Sequence, residues 1–334
     1  MKLVLILFLL IILLLNASLQ AFITMICTII WFIYTIIFCI KLLNKKDEKI
    51  DSNGYILDLP SNTSPEFIRY FYKRKFDNKV FITTLFNMVM KKFITIVREN
   101  DYYFVDNTDE ESVLTKREES VRRILFKEMG NGENVSLTCI KKSSIKNSAY
   151  LYNYFQEFRS TFEYEVASEK YFKPTKNVTY NSMFYLAISY LIAFYNLFFI
   201  PYVIIFILIF SLTSIITIMV NGFKNIEEDK KEEYKNWIKF KNYVVNKNLS
   251  ELDIEKLESF SLYAYSLDCY KEFKESLYLK KYQDEKCFDN SLILQLMSTE
   301  IFDDIVKVLD KSITNIKLNT ILLFKKNKGR RVKI

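Results

Sequence analysis

The stretch Tyr180–Val220 constrains this chain most: about forty residues pass without a formal charge, whereas a bilayer core needs roughly 20 apolar residues per helix. A single span would be too long. Asn196 and Pro201 interrupt the run near its middle, and proline cannot donate the backbone hydrogen bond a continuous helix requires. The run therefore predicts a transmembrane hairpin over 179–221, with helices at Tyr180–Phe198 and Tyr202–Val220. Tyrosines fall near both expected interfaces, where amphipathic rings are favoured. Closing the hairpin leaves both flanks in one compartment. The lysines there (Lys173 and Lys176 before, Lys224 and Lys230 after) assign it to the cytoplasm.

The first 43 residues predict further membrane segments. Met1–Leu15 has one lysine followed by an apolar run, as a signal peptide does. Ala21–Ile40 is a second run, closed by Lys41, Lys45, Lys46 and Lys49, a stop-transfer edge. Two versions stay open. Either the first run is cleaved and the second spans alone, or both remain as a hairpin turning at Asn16–Gln20. Both leave the following residues in the cytoplasm.

Composition narrows the chemistry. Gly 5 and Pro 4 in 334 residues argue for helices over strands and turns. No histidine is present, which removes His-based acid–base and nucleophile pairs and His-containing zinc sites. Cys27, Cys39, Cys139, Cys269 and Cys287 show no C-x-x-C spacing, so they read as reduced thiols. The net charge of +8 suits a membrane face as well as nucleic acid and decides little.

Residues 44–63 read as a linker and 64–178 as a cytoplasmic module. Ser64-Pro65-Glu66 is a helix start, and a second helix follows at Asn78–Lys91. Phe93–Val97 and Tyr102–Val105 form a strand pair about Arg98–Asp101. A third helix, Lys116–Met129, ends at Gly130 as a cap. A short extended piece at Asn134–Leu137 precedes an amphipathic helix within Ile140–Tyr171. Helices, a hairpin and further helices suggest a winged-helix-like α+β module. The DNA reading of that module is disfavoured, since the hairpin tip is mixed in sign and charges nearly cancel. Arg69, Lys73, Arg74 and Lys75 could supply a basic face toward DNA or toward anionic lipid.

Residues 222–324 read as a cytoplasmic helical region, with helices at Glu227–Lys241, within Leu249–Leu279 and at Ile293–Leu309. Residues 325–334 are a basic tail, either a solvated terminus or an electrostatic attachment to an anionic leaflet. The hairpin would hold the pieces before and after it on one face, free to pack into one body.

Several stretches then line up in order. They are Leu59-Pro60 before a two-helix segment, Phe93-Ile-Thr-Ile, Thr115-Lys-Arg-Glu-Glu, an interrupted apolar pair, Trp237/Phe240/Tyr243 and Leu262–Leu267. Over about Tyr55–Leu277 the chain resembles the bacterial DUF2207, or YciQ-like, predicted membrane proteins. The resemblance implies a signal peptide, an extracytoplasmic β-rich domain, a span, a cytoplasmic helical region and a membrane pair, with no assigned biochemistry. The extracytoplasmic domain has no counterpart in this sequence. Lys91-Lys92 and Asp268 stand where the resemblance implies glycine, and a helical tail continues beyond. The signature positions Trp237, Phe240, Tyr243, Tyr263, Ala264 and Leu267 read as packing residues.

No catalytic, cofactor-binding or metal residue is assigned. Asp109–Glu111, Glu227–Asp229 and Asp303-Asp304 lack the loop spacing of a Ca²⁺ or Mg²⁺ site. The fold class expected is mainly α: membrane helices, the winged-helix-like module and the helical region. The function expected is a multi-pass protein of the cytoplasmic membrane without enzymatic activity, working with a protein partner as an interaction or scaffold component of the envelope. The alternative is a membrane-anchored regulator binding nucleic acid.

Overall fold

The computed structural model describes residues 54–109, 113–172, 226–284 and 286–331, with side chains to 322, together with Ile26, Ile30, Ile33 and Ile37. Those four isoleucines are helical and exposed. The chain divides into two units, one of 1–51 with 172–225 and one of 52–171 with 226–334. The stretches on either side of the long apolar run thus share one compact unit, which contains all the elements below.

Helix α1 (Pro65–Lys73) and helix α2 (Asn78–Met90) pack on each other and are followed by β1 (Ile94–Arg98) and β2 (Tyr102–Asp106). Helix α3 (Lys116–Arg122) runs into a π-helical segment, Arg123–Met129. Then come β3 (Asn134–Ser136), α4 (Leu137–Lys146), α5 (Ser148–Ser168), α6 (Lys231–Asn246), α7 (Ile254–Ser266), α8 (Tyr270–Gln283), α9 (Leu292–Met297) and α10 (Ile301–Arg331). The three strands make one antiparallel sheet in the order β1-β2-β3, with Ile96 opposite Phe104 and Phe104 opposite Val135. Those three side chains are buried.

Helix α2 is the centre. From Val80 to Val89 all but Asn87 are buried, as expected of a helix apolar all round. It touches α1, α3, α7, α9, α10 and β1. Phe81 lies 4.8 Å and 5.2 Å from Phe155 and Phe158 of α5, and Phe86 lies 4.7 Å from Phe302 of α10. Each such ring pair adds about 0.5–1.5 kcal/mol beyond area burial. Helix α5 supplies Leu151, Phe155, Phe158, Phe162 and Val166 inward, a helical stripe.

The expected fold class is corrected. Among the described residues no helix is long and apolar enough to cross a membrane. The two longest are charged: Glu157, Arg159, Glu163 and Glu165 on α5, and Asp303, Asp304, Lys307, Asp310, Lys311 and Lys317 on α10. The described fold is helical with a small three-stranded sheet. Segments 1–43 and 179–221, where spans were expected, lie outside the described residues, those isoleucines excepted. In the module expected to be winged-helix-like, the hairpin belongs to the three-stranded sheet, and the helix before it is buried.

Local differences have local causes. The helix expected within Ile140–Tyr171 is α5, and Asn147 separates it from α4. The expected Ile293–Leu309 helix splits at Ser298–Glu300, and α10 then continues to Arg331, well into the basic tail. Gly130 is not a left-handed cap; its backbone is extended. A Cβ there would stand 2.4 Å from the Asn134 carbonyl oxygen, so glycine is required by close backbone approach.

Candidate functional site: ion clusters at the helix junctions

The most concentrated polar constellation joins α1, the start of α2 and the end of α7. Arg69 of α1 is buried. Its Nε and Nη2 donate to Asp77 at 3.0 and 2.5 Å, and its Nη1 donates to the Ser266 carbonyl at 3.0 Å. The same Nη1 lies 2.7 Å from Asp268 Oδ1. Lys73 and Lys79 each approach Asp268 to 2.6 Å. Burial works against the charged form of Asp268, yet the bonds from Lys73, Lys79 and Arg69 outweigh it and hold the carboxyl well below the usual range. For Arg69, burial lowers the pKa while Asp77 and Asp268 raise it, and the balance is upward.

The backbone places Asp268. Helix α7 ends with Leu267 as cap, Asp268 at φ 59°, Asp268 N–H bonded to the Tyr265 carbonyl and Cys269 N–H to the Ala264 carbonyl. This is a Schellman ending with a non-glycine residue in the left-handed position. Helix α2 ends the same way: Lys92 has φ 62°, and Phe93 N–H reaches the Met88 carbonyl. Both residues stand where glycine was implied.

A second cluster lies on the other side of α1. Glu66 is wholly buried. Arg117 Nε stands 3.0 Å from it without its N–H being aimed at a partner, and Arg117 Nη1 is 2.7 Å from Glu165. Asn87 donates to Glu66 at 3.3 Å, and the Arg117 guanidinium covers the Phe67 ring at 4.5 Å. Nearby, Thr115 and Glu118 form a capping box, and Lys91 reaches Glu118 at 2.7 Å.

The signature positions are placed as follows. Trp237, Phe240, Tyr243, Ala264 and Leu267 are buried, and Trp237 stacks on half-buried Tyr263 at 5.0 Å. Phe240 meets Phe260 edge-on at 4.8 Å. Tyr263 donates to the Thr63 carbonyl at 2.8 Å. The structure thus brings the two signature groups together as the α6–α7 contact. Sequence reading missed the Asp268 and Glu66 clusters, because their partners come from distant elements. Of the basic face Arg69–Lys75, Arg69 and Lys73 turn to Asp268. Helix α2 is covered by α5, α7 and α10, so it offers no free helix to a groove.

Among the described residues no group of three or more His, Cys, Asp or Glu could hold a metal ion. Glu110 and Glu111 lie outside the described residues, and Asp303 pairs with Lys274. Cys139, Cys269 and Cys287 are free thiols.

The family model for the C-terminal domain of a predicted membrane protein (DUF2207) matches residues 53–277, more than half the chain. The chain belongs to the DUF2207 family. The match covers α1 through most of α8, so both ion clusters and the Trp237–Tyr263 stack are part of the DUF2207 body. No curated protein and no solved structure matches this DUF2207 chain.

Proposed function

We propose that this DUF2207 protein is a non-catalytic interaction or scaffold component of the cell envelope, acting on the cytoplasmic side of the cytoplasmic membrane. One observation carries the reading: α8 turns Phe273 and Leu277 into the core while Tyr278, Leu279 and Tyr282 are 41, 51 and 93 % exposed. Exposed aromatics grouped on one helix are the residues from which protein contacts are built. They lie just past the matched residues. The absence of histidine and the pairing of Arg69, Glu66 and Asp268 within the body also favour a positioning role over chemistry.

The test is recovery of partners after mild solubilisation, comparing the parent with Leu279→Ser combined with Tyr282→Ala. A partner lost at least tenfold, about 1.4 kcal/mol of binding, with the unfolding midpoint unchanged, supports the reading. Undiminished recovery of every co-purifying protein rejects this surface.

A further inference from the structure

Helix α10 has two apolar stripes. The inward one, Ile305, Leu309, Ile313, Ile316 and Thr320, is buried. The second begins at Leu318: Leu318, Ile321 and Leu322 are 53, 48 and 62 % exposed, at the i, i+3, i+4 spacing of a single helix face. The helical backbone continues to Arg331, and that part of the sequence carries Lys325, Lys326, Lys328, Arg330 and Arg331 with no acidic residue. A helix C-terminus favours a cation in its last turn, but this run exceeds that need. Helix α4 packs along α10 and exposes Ile145 among Lys141, Lys142 and Lys146.

We propose that the end of α10, Leu318–Arg331, docks on an anionic membrane surface. The aliphatic stripe enters the boundary between headgroups and acyl chains, and the basic run meets anionic headgroups. Charge complementarity selects this occupant. A second copy of the helix would set like charges together. Nucleic acid would engage the cations but leave the leucines and isoleucine without partners, since bases stack on aromatic rings. The assignment goes beyond the scaffold reading and stands without it, because it requires no partner protein.

The test uses the full chain carrying Leu322→Trp, reconstituted into vesicles with brominated acyl chains, with the parent's own Trp31 and Trp237 signal subtracted. With phosphatidylglycerol mixed into phosphatidylcholine, the added tryptophan should be quenched beyond the parent level. Each cation removed weakens attachment about fivefold, so adding Lys325→Gln, Lys326→Gln and Lys328→Gln should abolish that extra quenching. Leu322 is exposed, and an unfolding midpoint equal to the parent's checks that each variant keeps the fold. Quenching equal to the parent's, or equal in phosphatidylcholine alone, overturns the proposal. So does a response to added polyglutamate with none to lipid, which would mark an acidic protein partner.

Discussion

Asp268 Oδ1 lies 2.7 Å from Arg69 Nη1 while the Asp268 backbone is held at φ 59°. The residue therefore carries two opposed contributions. Its left-handed backbone costs about 1 kcal/mol relative to glycine. Its carboxylate anchors a buried guanidinium and two lysines, stabilising by about 2 kcal/mol after allowance for its partial solvent exposure. Asp268→Ala should lose about 2 kcal/mol, and Asp268→Gly only about 1, because glycine also releases the backbone. Urea unfolding of both variants checks this. Equal midpoints for the two would show that the left-handed position is unstrained.

The same carboxylate gives a pH signature. Burial raises the Asp268 pKa, but Lys73, Lys79 and Arg69 pull it further down. For Glu118 burial likewise raises, and Lys91 and Thr115 win. A carboxyl depressed in the folded state takes up its proton more readily when unfolded. Its stabilisation is therefore present above the ordinary carboxylate pKa of about 4 and is lost as pH falls toward the folded-state value. The gap in unfolding midpoint between parent and Asp268→Asn should be constant from about pH 8 to about pH 5, narrow progressively below about pH 4, and close only in strong acid. A gap that persists undiminished in strong acid would show that the loss is one of shape rather than charge.

Helix positions were legible wherever periodicity or caps spoke: Ser64-Pro65 opens α1, and the alternation in Phe93–Val97 and Tyr102–Val105 falls on β1 and β2. Helix ends were harder to read, because left-handed caps are usually announced by glycine and this chain uses Arg74, Lys92, Lys170 and Asp268 at positive φ instead. The ion clusters were not legible for a different reason. Arg69 and Asp268, or Glu66 and Arg117, meet only after α1, α3 and α7 have packed, and no local spacing encodes such a pair. The apolar runs that dominated the sequence lie outside the described residues, Ile26, Ile30, Ile33 and Ile37 excepted.

Gly130 and Gly132 should respond unequally to alanine. At Gly130 the new Cβ would meet backbone at 2.4 Å, so the turn into β3 must open, at a cost of about 3 kcal/mol. At Gly132 nothing lies within 4 Å, and only φ +105° resists substitution, costing about 1–2 kcal/mol. Thermal midpoints of the two variants measure the order. A Gly132→Ala loss as large as that of Gly130→Ala would contradict the close approach to Asn134.

The thiols should separate by burial. Cys139 is exposed and Cys269 buried, with the Cys269 Sγ donating to the Ala264 carbonyl at 3.5 Å. Burial pushes the Cys269 thiol up to about 12, so it has almost no thiolate at neutral pH. Maleimide should modify exposed Cys139 in the folded chain and reach buried Cys269 only after denaturation. Mass spectrometry of labelled peptides reads both sites. Cys139 in intact and opened cells also reports the face on which this body lies: labelling from outside would reject the cytoplasmic assignment.

Glu66 and Arg117 offer the sharpest energetic test. Glu66 has no exposed surface, and Arg117 Nε is 3.0 Å away while its Nη1 holds Glu165 at 2.7 Å. Removing one member strands the other: Arg117→Met should cost about 3–5 kcal/mol, because a buried carboxylate loses its countercharge. Neutralising the partner should restore much of that, since a buried pair replaced on both sides is often close to neutral. Asn87, which donates to Glu66 at 3.3 Å, can still serve a glutamine at that position through the side-chain carbonyl. The double variant Glu66→Gln with Arg117→Met should therefore be more stable than Arg117→Met alone, with a coupling of about 1–3 kcal/mol in a double-mutant cycle. Additive losses would show that the two side chains do not form an energetic pair, and that Arg117 contributes through its contact with Phe67 instead.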